Sequence, residues 1–158
     1  VRKMEEDVQW LSADEQLAWR TYLRGVAVVS EALNHDLIVD SGVSLNEYEV
    51  LSRLSETPEY TLRISTLAEG LVHSRSRLTH TVSRLESEGL VARTSCEADR
   101  RGVNCSLTEK GLNLLKRAAP LHVASVRRHL VDKLGAERML ELGRLCSILI
   151  DDQPEKNR

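Results

Sequence analysis

Apolar residues recur along most of this chain at intervals of three and four, the spacing that puts side chains on one side of an α-helix. Trp19, Tyr22, Val26, Val29, Leu33 and Leu37 make the longest such stripe, behind Ser12 and Glu15 at capping-box spacing. They predict a helix from about Ser12 to Val39. Ser41-Gly42 interrupts it. Ser44 and Glu47 repeat the capping pattern and open a shorter helix with Tyr48, Leu51 and Leu54 inward, ending near Ser55 and closed by Pro58. Leu62 to Ile64 fits a short strand. Ser65 is placed to cap a brief helix through Leu71, with Leu67, Ala68 and Leu71 inward, and Val72-His73 forms a turn.

The segment from Ser74 to Glu88, SRSRLTHTVSRLESE, divides into two faces. Leu78, Val82 and Leu85 lie on one side, and Arg77, His80 and Arg84 lie on the other among Ser76, Thr79, Ser83 and Ser87. From Val72 to Leu85 there are three arginines and no acid. Such a helix suits a DNA major groove: arginines reach guanine edges or phosphates, and small side chains let the backbone come close. A solvated amphipathic helix has the same pattern. The elements that follow weigh against that reading. Gly89 sits where a left-handed C-cap is wanted. Leu90 to Cys96 reads as a strand and Val103 to Leu107 as its partner, with Glu97 to Gly102 a basic-tipped turn between them. Thr108 caps another long helix, interrupted by a kink or break near Pro120. Val123, Val126, Leu130 and Leu134 continue its stripe, Gly135 stops it, and Met139, Leu142, Leu145 and Leu149 define a last helix before a polar tail, DDQPEKNR.

The fold expected is mainly α with a small β-hairpin wing: a winged helix-turn-helix with N- and C-terminal helices. Residues 41–107 form the winged domain, and 1–40 with 108–158 form a helical dimerisation region. The terminal stripes are longer than a compact winged helix can bury, and a large exposed apolar patch marks an interface.

A net charge of −2 argues against indiscriminate polyanion binding, but arginines gather at Arg75 to Arg84 and at Arg100-Arg101 while acids gather elsewhere. The three cysteines, Cys96, Cys105 and Cys146, have no zinc-site spacing and read as reduced thiols. A redox response through Cys96 or Cys105 on the wing is an alternative. The five histidines lack ligand spacing and no phosphate-cradling glycine loop occurs, so no catalytic role, metal or cofactor is expected. There is no apolar run long enough to cross a membrane and no signal-peptide pattern, which makes a cytoplasmic protein the expectation.

Three segments resemble the MarR family of transcriptional regulators: Ser44 to Glu56 (SLNEYEVLSRLSE), Ser74 to Thr94 (SRSRLTHTVSRLESEGLVART) and Asp99 to Gly111 (DRRGVNCSLTEKG). The resemblance covers nearly the whole chain. It implies a homodimer, interlocked through its terminal helices, on a pseudo-palindromic duplex. Ser74 would cap the recognition helix or touch a phosphate, with Arg75 on the backbone. Ser76, Arg77, Thr79 and His80 would face the groove floor, Arg77 on guanine, and Arg84 would clamp a phosphate. Asp99 would hold Arg101 in a minor groove, with Arg100 as the other candidate. A small aromatic or phenolic effector in a cleft near Trp19, Tyr22, His35 and Tyr48 would release the operator, although Trp19 and Tyr22 also suit core packing. A winged helix that binds protein in place of DNA is the remaining alternative.

Overall fold

The computed structural model describes residues 8–71, 75–96 and 99–151, with the backbone alone for residues 70, 75, 96, 99–101 and 151. Helix α1 runs from Ala13 to Ser41, α2 from Leu45 to Ser55, and a 3-10 turn over Pro58–Tyr60 leads to strand β1, Thr61–Arg63. Helices α3 (Ile64–Gly70) and α4 (Arg75–Ser87) come next, followed by β2 (Val91–Cys96) and β3 (Asp99–Leu107). Helix α5 (Glu109–Val126) passes through a π-helical segment, Arg127–Val131, into a last turn, α6 (Asp132–Leu134), and α7 (Ala136–Asp151) ends the described chain. This is the expected mostly helical fold with a small antiparallel sheet and helices at both ends. The sheet has three strands in the order β1-β3-β2, so the hairpin gains a third strand on its outer side.

Local chemistry sets the ends of these elements. Ser12 and Ser44 each accept from the backbone N–H three residues on, and Glu15 and Glu47 reach back to the cap N–H. Each capping box satisfies two amide donors that the first helical turn leaves unpaired. Gly42 and Gly89 take φ of +72° and +70°, the left-handed conformation that ends α1 and turns α4 into β2.

Four expectations need correction. Helix α3 begins at Ile64 behind Arg63, which makes no side-chain cap bond, so Ser65 lies inside the helix. Asp99 to Gly102 belong to β3, pairing from Cys96↔Asp99 past a register shift at Ser95/Cys96, so the strand is longer and the turn shorter than the basic tip suggested. The missing break at Pro120 is the third. Helix α5 continues through it, and the irregularity comes at the π-helical segment beginning at Arg127. The fourth is the core assignment of Trp19 and Tyr22, which are 52% and 48% exposed. The Val72-His73 turn, the tip residues Glu97 and Ala98, and the tail beyond Asp151 lie outside the described residues.

One apolar core joins the elements. Leu51 and Leu54 of α2, Leu67 of α3, Leu78, Val82 and Leu85 of α4, Leu90, Val91 and Cys105 beside the sheet, and Leu37, Leu115 and Ala118 of the long helices are all buried in it. The seam between the winged region and α5 is close-packed at Gly111, where a Cβ would stand 2.1 Å from the Leu90 carbonyl oxygen and 2.8 Å from Leu107 Cδ1. Thr108 ties the same seam, donating from Oγ1 to the carbonyls of Gly89 (2.8 Å) and Leu90 (3.0 Å), while Lys110 Nζ donates to Glu88 O at 2.6 Å.

Candidate nucleic-acid interface

Helix α4 presents its two faces as the sequence pattern requires. Leu78, Val82 and Leu85 are buried, and Ser76, Arg77, Thr79, His80, Ser83 and Arg84 are exposed. The apolar row fixes the rotation of the helix about its own axis, and the rotation decides which side chains face outward. Thr79 also borders a surface cleft with Gly102 and Val103 of β3 and with Arg63 and Ser65, which sets the outer end of α4 beside the wing. Ser74 lies outside the described residues, as do the side chains of Arg75, Asp99, Arg100 and Arg101, whose backbones lie at the start of α4 and of β3.

Two ion pairs tie α4 to its neighbours. Glu47, 3% exposed on α2, is ion-paired through Oε1 with Arg84 Nε at 2.9 Å, and its Oε2 accepts from Ser44 N at 2.7 Å and Ser44 Oγ at 2.9 Å. Arg84 Nε donates to Glu88 Oε1 at 3.4 Å. Arg84 Nε thus faces two carboxylates, while 60% of the side chain stays exposed. On the next turn Glu86 Oε2 accepts from Arg93 Nε of β2 at 2.8 Å, and Arg93's hydrogen bond holds the Glu86 carboxyl below its ordinary value. Neither acid was singled out from the sequence as an anchor. The signal for Glu47 was present: with Val50, Leu51 and Leu54 it occupies the inward stripe of α2, where an acid must find a cation.

The effector candidates do not converge within one subunit. Trp19 and Tyr22 stack, with ring centroids 5.9 Å apart, on the exposed face of α1. His35 is exposed four turns further along the helix, about 24 Å from Trp19 at 1.5 Å per residue. Tyr48 is buried against the His122 ring at 4.4 Å. Cys105 is fully buried, and burial pushes its thiol up to about 11, opposite to what a thiolate sensor needs. Among the described residues no group of His, Cys, Asp and Glu could hold a metal ion.

Comparison with known proteins decides the class. The MarR family model matches residues 43–103. The structure of Sco3205 from Streptomyces coelicolor, a MarR family transcriptional regulator solved in complex with DNA, is 38% identical, covers 95% of either chain and superposes with a TM-score of 0.88. This chain belongs to the MarR family. Another MarR family regulator, AbsC from the same organism, is 42% identical over 91% of this chain and 97% of its own, with a TM-score of 0.83. PecS, an HTH-type transcriptional regulator of Dickeya dadantii, is 34% identical over 86 residues, and the match spans about half of its length (52%). MarR proteins of this kind are transcriptional regulators, a non-enzyme class. The family match runs from Val43 through the α4 face to the wing. No helix among the described residues is long and apolar enough to cross a membrane.

Proposed function

We propose that this chain is a sequence-specific, double-stranded DNA-binding regulator that works as a homodimer. One observation carries the reading: a helix whose apolar row is sunk in the core and whose outer row is Ser76, Arg77, Thr79 and His80. The neighbour solved on DNA supports it. Arg77 contacts a guanine edge, worth about 1–3 kcal/mol of discrimination against a wrong base. Ser74, Arg75 and one wing arginine, Arg101 braced by Asp99 or else Arg100, hold the backbone and the minor groove.

The dimer reading rests on the ends of the chain. On α1, Leu17, Trp19, Tyr22, Leu23 and Val26 are exposed, and on α7 Leu140, Leu145, Ile148 and Leu149 are too. Helix α1 has 29 residues and is about 43 Å long, more than the winged region covers. A second copy would bury this surface, so residues 1–40 and 108–158 form the assembly region and 41–107 the DNA-binding region. Two-fold symmetry then sets the recognition helices about one duplex turn apart, on half-sites spaced by ~10 bp.

Repression by covering a promoter follows, with release by a small aromatic or phenolic effector that favours a helix spacing unsuited to DNA. The stacked Trp19 and Tyr22 support an effector site closed by the partner subunit.

Selection from a randomised duplex library tests the reading. The expected product is an inverted repeat, bound far more tightly than random duplex. Arg77→Ala combined with Arg101→Ala should weaken binding to it by at least tenfold while folding and dimerisation persist. Unchanged binding by the double variant overturns the assigned surface, and a library that yields no enriched sequence overturns DNA recognition itself.

A further inference from the structure

We propose that Glu47 and Arg84 are positioning residues: a buried carboxylate and a guanidinium that lock the recognition helix at one angle to the dimer helix α1, without Arg84 touching DNA. This deepens the DNA-binding reading and rests on it.

The observations form a connected polar path. Asn34 of α1 accepts from the backbone N–H of Leu45, the first residue of α2, at 3.0 Å. The preceding residue, Ser44, donates its N–H and hydroxyl to Glu47 Oε2 at 2.7 and 2.9 Å. The other oxygen of that carboxylate is ion-paired with Arg84 Nε at 2.9 Å. Glu47 has 4% of its side chain exposed, so no phosphate can reach it and no water shell can replace its partners. A buried carboxylate left without its cation is costly, so the native position of α4 is the one that keeps Arg84 on Glu47. The pair also joins the N-terminal turn of α2 to the C-terminal turn of α4. An acid is favoured at the first of these and a cation at the second. The apolar row of α4 fixes its rotation about its own axis. The ion pair with buried Glu47 restrains the C-terminal end of the helix, and base contacts tolerate only small misplacement.

A double-mutant cycle on the library-selected duplex tests this, with random-sequence duplex as the second probe. Glu47→Gln keeps a side chain that can still cap α2, and Arg84→Gln changes a position more than half exposed, so both variants should fold, checked by far-UV circular dichroism. Each single variant should bind the selected duplex about tenfold or more weakly and random duplex almost unchanged. The double variant should be no worse than either single, because the two act as one unit. The slope of log K against log salt should stay at its wild-type value in all three. The proposal is overturned if Arg84→Gln weakens both duplexes alike and lowers that slope by about one, the signature of a lost phosphate contact. It is equally overturned if Glu47→Gln binds as the wild type does. A wild-type chain that selects no sequence would instead sink the DNA-binding reading, which keeps the two failures apart.

Discussion

At the scale of single residues, the positions that matter most are those with no room or no partner to spare. Gly111 has no room: an added methyl would meet the Leu90 carbonyl at 2.1 Å, and that carbonyl is backbone held by Thr108. Gly111→Ala should therefore cost about 1–3 kcal/mol through forced shifts in a packed seam. For a chain of this size that lowers Tm by about 3–10 °C, readable by differential scanning calorimetry. His122 has no partner to spare. Its Nδ1 is buried without a hydrogen bond, and burial lowers its pKa, with Glu49 opposing in part. The unfolded chain thus takes up the proton more readily than the folded one. Stability should rise with pH up to about 6.5 and be lost as acid carries the pH below that value. His122→Gln should flatten this slope in urea titrations between pH 5 and 7, and an unchanged slope would refute the assignment. Asp36 acts lower on the scale. Hydrogen bonds from Ser125 and Arg128 hold its carboxyl far below the ordinary range, so its contribution is complete above about pH 4 and disappears only in strong acid.

At the scale of elements, the helices differ in how strictly they are held. Helix α5 runs through Pro120, which cannot donate to the carbonyl of Lys116 and crowds it. Pro120→Ala should restore that bond and raise stability by up to about 3 kcal/mol. Chemical denaturation compared with the wild type gives the sign directly. Most element types and ends were legible because they follow from local chemistry: the capping boxes at Ser12 and Ser44, the left-handed glycines at 42 and 89, and the leucine row of α4 are short-range patterns. What was not legible depends on neighbours distant in sequence. The length of β3 is set by pairing with β1 and β2, and the break expected at Pro120 is overridden where α5 packs along α1. The pairing of Arg84 with Glu47 could not be read from its own helix, since Glu47 lies 37 positions earlier, on the inner stripe of α2. The outward row of α4 was legible for the opposite reason: rotation follows from which residues cannot face water.

At the scale of the whole molecule, the proposed dimer makes one subunit half of an object. With Trp19 half exposed and Leu140 76% exposed, a solitary chain would show water a long apolar strip on both terminal helices. Thermal unfolding should therefore shift to higher temperature as protein concentration rises, as mass action requires of a dimer. Replacing Leu145 by Glu should give a smaller species in analytical ultracentrifugation with helical content largely retained. A concentration-independent Tm would contradict the dimer. In the proposed assembly the strip that joins two copies lies on α1 and α7, whereas Arg77, which would meet the duplex, lies on α4. Damage to one therefore leaves the other intact. In a cell making two versions of the gene, a copy altered only at Arg77 would still recruit intact chains into hybrid pairs with a single working hand, and the defect would be inherited as dominant.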